Sequence, residues 1–190
     1  MCTGALVSPV LVLTAAHCLY DPNNGRRVDP EDIEFQAGLR NGKAVAVRHV
    51  VSATQHPDYR HIRKGKAQVG HDIALLRLNS PIDHSAVLPM EQDIRLGAGD
   101  MLGVLSYNIG NRNDPVLEYP CRVLATQQQT LVLSCDVEFG ASGAPVLALG
   151  KGNRPSLVSV VSARAAMGGR KVSIGTTLTA DALQRMMRGG

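Results

Sequence analysis

Short apolar runs, rich in β-branched residues and cut by turn-forming residues, recur along most of this chain and constrain its fold more than any other feature. Ala5–Val7, Val10–Leu13, Ile33–Gln36, Lys43–Val51 and Ile73–Leu78 come first. After a polar middle stretch follow Asp100–Ser106, Tyr119–Thr126, Thr130–Ser134, Pro145–Ala148, Leu157–Ser162 and Val172–Thr177. Short runs at this spacing, bounded by Gly, Pro, Asn and Asp, predict an all-β barrel or sandwich. Within Lys43–Val51 the pattern partly alternates, as in a half-buried strand. Only the end reads as a helix, over 179–189. Thr179 caps it, Asp181 suits its first turn, Leu183, Met186 and Met187 form one face, and Gly189 ends it.

Composition narrows the function classes. Of 190 residues 44% are hydrophobic and 19% charged, which excludes wholesale disorder. Tryptophan is absent and only six residues are Phe or Tyr, so the core is built from Val, Leu, Ile and Ala. The longest apolar stretch, Ala5–Val12, is broken by Ser8 and Pro9 and is too short to span a bilayer. The net charge of +4 attracts anions weakly, but aromatic platforms and nucleic-acid motifs are lacking. Neither a nucleic-acid nor a membrane partner is expected.

The four cysteines form two close pairs in sequence, Cys2 with Cys18 and Cys121 with Cys135, although three connectivities are open. Local pairing closes loops of about 15 residues, each stabilising by roughly 3 kcal/mol in the chain-entropy account. That points to an oxidising compartment. No C-x-x-C spacing occurs, and His56, Asp58, His61 and His71 fit no standard metal site, so no metal or other cofactor is expected. Cys2 follows Met1 with no leader-like segment, which reads as a truncated secreted chain.

Three segments carry chemistry. T-A-A-H-C at 14–18 delivers His17 after a strand, a Ser-Pro turn and a second strand. H-D-I-A-L-L at 71–76 puts Asp72 immediately before a strand apolar enough to be buried. G-A-S-G-A-P at 140–145 holds Ser142 among small residues. A serine hydroxyl needs an adjacent base to attack at neutral pH, and an imidazole oriented by a carboxylate supplies one.

These motifs, with H-P-D-Y at 56–59, resemble those of the chymotrypsin-like (trypsin-type) serine peptidases in their shorter bacterial style. The order His, Asp, Ser is that family's order. The resemblance runs from Cys2 to about Thr177. It implies two antiparallel Greek-key β-barrels of six-stranded type, over 1–92 and 93–190, with a C-terminal helix. The first barrel would lack its opening strand, and so expose an edge, if Met1 is the true start. It also implies that His17 is general base and acid, Asp72 its orienting group and Ser142 the nucleophile. The backbone N–H groups of Gly140 and Ser142 would form the oxyanion hole.

Two positions depart from the pattern. Ala141 stands where animal members have an Asp that pairs with a newly released N-terminus, so the loop must be held by other contacts or be incompletely formed. Cys135 lies too far upstream of Gly140 to be the family's usual cysteine there, and is paired with Cys121 across a hairpin; the cysteine beside His17 pairs with Cys2.

On the substrate side, the resemblance places the strand Val158–Ala163 beside the cleft. It makes Ser162 a support for the catalytic aspartate and Asp136 a candidate for binding Arg or Lys. Arg164 would instead favour acidic side chains, as would the basic run Arg60–Lys66 if it lines the cleft. The expected protein is a monomeric, secreted or periplasmic serine endopeptidase acting on proteins or peptides. The alternative is a catalytically silent relative whose cleft binds peptides or partners.

Overall fold

A computed structural model describes residues 1–62, 68–92, 96, 101–149 and 154–188. Residues 63–66 of the basic run, Asp100 and Gly189 lie outside them. The chain is mostly β and ends in one helix, as the apolar runs predict.

Five strands make the first sheet: β1 (Ala5–Ser8), β2 (Leu11–Thr14), β3 (Glu34–Ala37), β4 (Ala46–Gln55) and β5 (Ala74–Leu78). Their order is β1-β2-β5-β4-β3, with antiparallel pairing. β5 is buried except at Arg77, as suits a run of Ala and Leu at the centre of a sheet.

The second sheet holds β6 (Glu91–Gln92), β7 (Met101–Asn108), β8 (Asn111–Cys121), β9 (Val123–Gln127), β10 (Thr130–Leu133), β11 (Pro145–Leu149), β12 (Ser156–Met167) and β13 (Arg170–Thr177). Its main path is β8-β7-β11-β12-β13-β10-β9, and β6 pairs in parallel with the start of β12. Glu91 and Gln92, placed by sequence in the first half, thus pair with the second sheet.

Strand numbers differ from the sequence expectation. It grouped Tyr119–Thr126 as one strand; Arg122 instead separates β8 from β9. It also missed most of β8, whose first four residues are Asn, Arg, Asn and Asp. β8 is an edge strand exposed or half-buried along all but its last residue, so polar residues and Pro115 fit there without an apolar repeat.

The helix α1 (Ala180–Arg188) begins where Thr179 Oγ1 accepts the Ala182 N–H at 3.2 Å, a side-chain cap. Each sheet has its own core, and a third apolar cluster joins them. Leu13, Ile73 and Leu75 meet Leu157, Val160 and Met186 in that junction. Burying each such side chain contributes roughly 1.5–3 kcal/mol. The junction thereby fixes the sheets against one another, and the candidate site lies along it.

Candidate active site

β2 runs out at Thr14 into a 3-10 turn, Ala16–Leu19, which carries His17. The Cys2–Cys18 disulfide ties this turn to the residues ahead of β1. A second disulfide joins Cys121 to Cys135. The neighbouring strand β5 is preceded by another 3-10 turn, Val69–His71, and Asp72 follows it directly. His17 and Asp72 therefore sit at the same end of two paired strands.

Asp72 is buried and accepts three hydrogen bonds. Its Oδ1 takes the His17 backbone N–H at 2.8 Å. Its Oδ2 takes His17 Nδ1 at 2.7 Å and also the Ser162 hydroxyl. An ionised carboxylate only accepts, so Nδ1 carries the imidazole proton and Nε2 keeps a free lone pair. The His17 side chain is 33% exposed, against 4% for Asp72, which leaves the imidazole accessible and its partner dry.

Ser162 reaches Asp72 because of an irregularity in β12. Register shifts between Val161 and Ala163, which pair with Gly175 and Ile174, so Ser162 is an extra residue. A β-bulge of this kind re-aims a side chain. Here it turns the hydroxyl from the second sheet onto a carboxylate of the first.

Ser142 sits in the turn before β11, between Gly140 (φ 101°) and Gly143 (φ 80°). A Cβ on Gly143 would lie 2.2 Å from Thr14 Oγ1 and 2.3 Å from the Thr3 carbonyl, so only glycine permits this approach to the first sheet. Around Ser142 the Ala141 N–H goes to Glu138 O, Gly143 N–H to Val161 O and Ala144 N–H to Ala141 O. Among the described residues, the N–H groups of Gly140 and Ser142 have no acceptor. The Ser142 hydroxyl likewise makes no hydrogen bond among them, and Nε2 of His17 lies 4.0 Å from Cys18 Sγ.

The cavity beside Ser142 is walled by Val137, Phe139, Val161 and Ala163, with Arg164 and Glu138 at its rim. The Arg164 guanidinium carbon stands 3.8 Å from the centre of the Phe139 ring, a cation–π contact. Asp136 is not in this wall. It lines a separate cavity with Glu118 and Glu138, and its Oδ2 is 2.9 Å from Lys171 Nζ.

Of the histidines flagged by sequence, His61 stacks on Tyr20 at 4.0 Å. His56, Asp58 and His71 do come together, with the rings of His56 and His71 4.7 Å apart. Asp58 N–H donates to His56 Nδ1 at 3.1 Å, which uses that lone pair and puts the proton of a neutral ring on Nε2. In that tautomer His56 Nε2 is buried and has no acceptor among the described residues.

Sequence reasoning missed Thr3. Its N–H donates to Ser142 O at 2.8 Å, and its hydroxyl lies 3.0 Å from Gly140 O. No motif marks this residue, and it is 137 positions from Gly140. The only available signal was its place between Cys2 and Gly4, ahead of an edge strand.

A family model described as Trypsin matches residues 1–182. A tryptase of Mus musculus is 37% identical over 87 residues, 44% of this chain and 28% of that protein. A trypsin of Phaedon cochleariae is 34% identical over 83 residues, 43% of this chain and 29% of that one. The matched part is thus under a third of either relative's length. A thermostable serine protease AL20 from an extremophilic microorganism superposes with a TM-score of 0.76 at 18% identity, covering 99% of this chain and 89% of that structure. That likeness shows the two-barrel chymotrypsin-like fold. With the family match over nearly its whole length, the chain belongs to the trypsin family of serine peptidases.

Proposed function

We propose that this chain is a serine endopeptidase that hydrolyses peptide bonds in proteins or peptides through an acyl-enzyme, with His17, Asp72 and Ser142 as its triad. The observation that carries the reading is the 2.7 Å contact of His17 Nδ1 with buried Asp72. It holds the imidazole in the tautomer whose Nε2 can take a proton. Ser142 Oγ attacks the scissile carbonyl carbon as its proton passes to Nε2. The negative charge that develops on the carbonyl oxygen is met by the uncommitted N–H groups of Gly140 and Ser142. The carbon–nitrogen bond then breaks, Nε2 returns the proton to the leaving amine, and water removes the acyl group from Ser142 by the same route.

The substrate backbone runs beside Ser162, Ala163 and Arg164 of β12, with its side chain in the cavity next to Ser142. Two disulfides suit a secreted or periplasmic location. One observation favours a second reading, a silent homologue that only binds peptides: the Ser142 hydroxyl is not hydrogen-bonded to His17 among the described residues. Catalytic hydrogen bonds are commonly long without substrate, which keeps the enzyme reading first. A fluorophosphonate probe decides. It is expected to label the wild type at Ser142 and to leave Ser142→Ala and His17→Ala unlabelled. Folded wild type that takes no label overturns the peptidase reading in favour of the silent one.

A further inference from the structure

We propose that Thr3 is the positioning residue of the oxyanion loop, holding the Gly140–Ala141 peptide in place from the opposite sheet. This rests on the peptidase reading above.

The loop is held mostly by backbone hydrogen bonds, among them Ala141 N–H to Glu138 O at 3.1 Å, and has little side-chain polar support. Ala141 offers only a methyl group, fully buried against Val137, Ala144 and Val161. Backbone bonds fix the flanking peptides: Phe139 O accepts from Ile109 N–H at 2.9 Å, and Ala141 O from Ala144 N–H at 2.9 Å. Those two peptides also carry the free N–H groups of Gly140 and Ser142. Between them lies the Gly140–Ala141 peptide, whose orientation sets how the two donors converge. Its carbonyl is held by Thr3 Oγ1 at 3.0 Å, and this is the only side-chain hydrogen bond to the backbone of 138–144 among the described residues.

Thr3 is itself firmly placed. It is 4% exposed and follows the disulfide-bonded Cys2. Its carbonyl accepts the Thr14 hydroxyl at 2.8 Å, and its own hydroxyl accepts Tyr107 N–H at 3.0 Å. Accepting there leaves the hydroxyl proton for Gly140 O, with Tyr107 O at 3.2 Å as the longer alternative. Thr3 N–H meanwhile holds Ser142 O at 2.8 Å. One residue thus grips the loop on both sides of Ala141, and the hydroxyl is the part that a substitution can remove alone.

Thr3→Val keeps the shape and deletes the hydroxyl, while Thr3→Ser keeps the hydroxyl and deletes a methyl. Kinetics on a peptide substrate are expected to show kcat lowered about tenfold to hundredfold in Thr3→Val, below the cost of losing an oxyanion donor outright. KM should stay within about threefold, since ground-state binding is not what the loop supplies. Thr3→Ser should retain kcat within about threefold of the wild type. Hydrogen exchange over 138–144 should be faster in Thr3→Val than in Thr3→Ser. Unchanged kcat in Thr3→Val, or equal losses in both variants, overturns the proposal. Thr3→Ala, which buries no new methyl, replaces Thr3→Val if that variant does not fold. If the wild type neither turns over peptide nor takes the fluorophosphonate, the peptidase reading falls. Exchange over 138–144 then still decides on Thr3, because equal protection in both variants overturns its positioning role without any chemistry.

Discussion

At Ala141 the loop carries a methyl where animal relatives carry a carboxylate, and its surroundings explain why the difference is not a small one. The site is fully buried, and Val137, Ala144 and Val161 pack around it. Ala141→Asp would place a charge among these apolar side chains. We expect a loss of about 3 kcal/mol or more in urea unfolding, the scale of an uncompensated buried charge. Unchanged stability would mean that a partner reaches the site. His56 gives a residue-scale dependence on pH. Burial and the adjacent His71, with Arg185, hold its pKa below the usual 6.5, while Asp58 and Asp181 act the other way without reversing the shift. The unfolded chain therefore binds a proton that the folded chain resists, so stability falls as pH drops below about 6.5. Replacing the ring in His56→Phe should flatten that part of the Tm-against-pH curve. A slope equal to the wild type's would assign the acid sensitivity elsewhere. Chemistry at this scale was legible where type and neighbourhood agree, as with His17 and Asp72 at the ends of apolar runs. Thr3 was not legible, because a threonine has no signature until folding brings it within 3.0 Å of Gly140 O.

Among the elements, β12 does the most to shape the cleft. It bulges at Ser162 toward Asp72, lines the cavity with Val161 and Ala163, and sets Arg164 at the rim over Phe139. The wall is apolar and the rim carries a guanidinium, whereas Asp136 is committed to Lys171 in a different cavity. A P1-varied peptide library should therefore rank Arg and Lys low. Arg164→Ala should narrow the gap between acidic and basic P1 residues, and a wild-type preference for Lys or Arg would refute this reading of the cavity. Glu138 shares the rim and moderates the effect. Strand positions were largely legible from apolar runs, since burial and sequence agree along β2, β5, β11 and the first half of β12. The exceptions have physical reasons. β8 borrows its regularity from β7 and needs no apolar repeat, and β6 is two exposed residues that pair with β12. The bulge at Ser162 leaves no trace in composition, because it is set by how β12 and β13 align.

For the whole molecule, the two sheets share an apolar junction, and each supplies what the other's part of the site requires. Asp72 of the first half receives the Ser162 hydroxyl from the second. Ser142 and Gly140 of the second half receive the N–H and hydroxyl of Thr3 from the first. Gly143 N–H and the Val161 carbonyl close the loop onto β12 within the second half. The division into two sets of strands was visible in sequence, and the family resemblance led to Ser162 beside the aspartate, but the Thr3 hydroxyl bond across it was not legible, since it joins residues 137 positions apart. Such crossings bear on how a chain like this can diverge. A substitution at position 3 or 162 is answered in the other half, so chimaeras that exchange one half with a relative should inherit mismatched pairs even when each half is individually sound. Recombination within this lineage is then expected to succeed only where Thr3 travels with its loop and Ser162 with its aspartate, which makes the seam, rather than either barrel, the unit of inheritance.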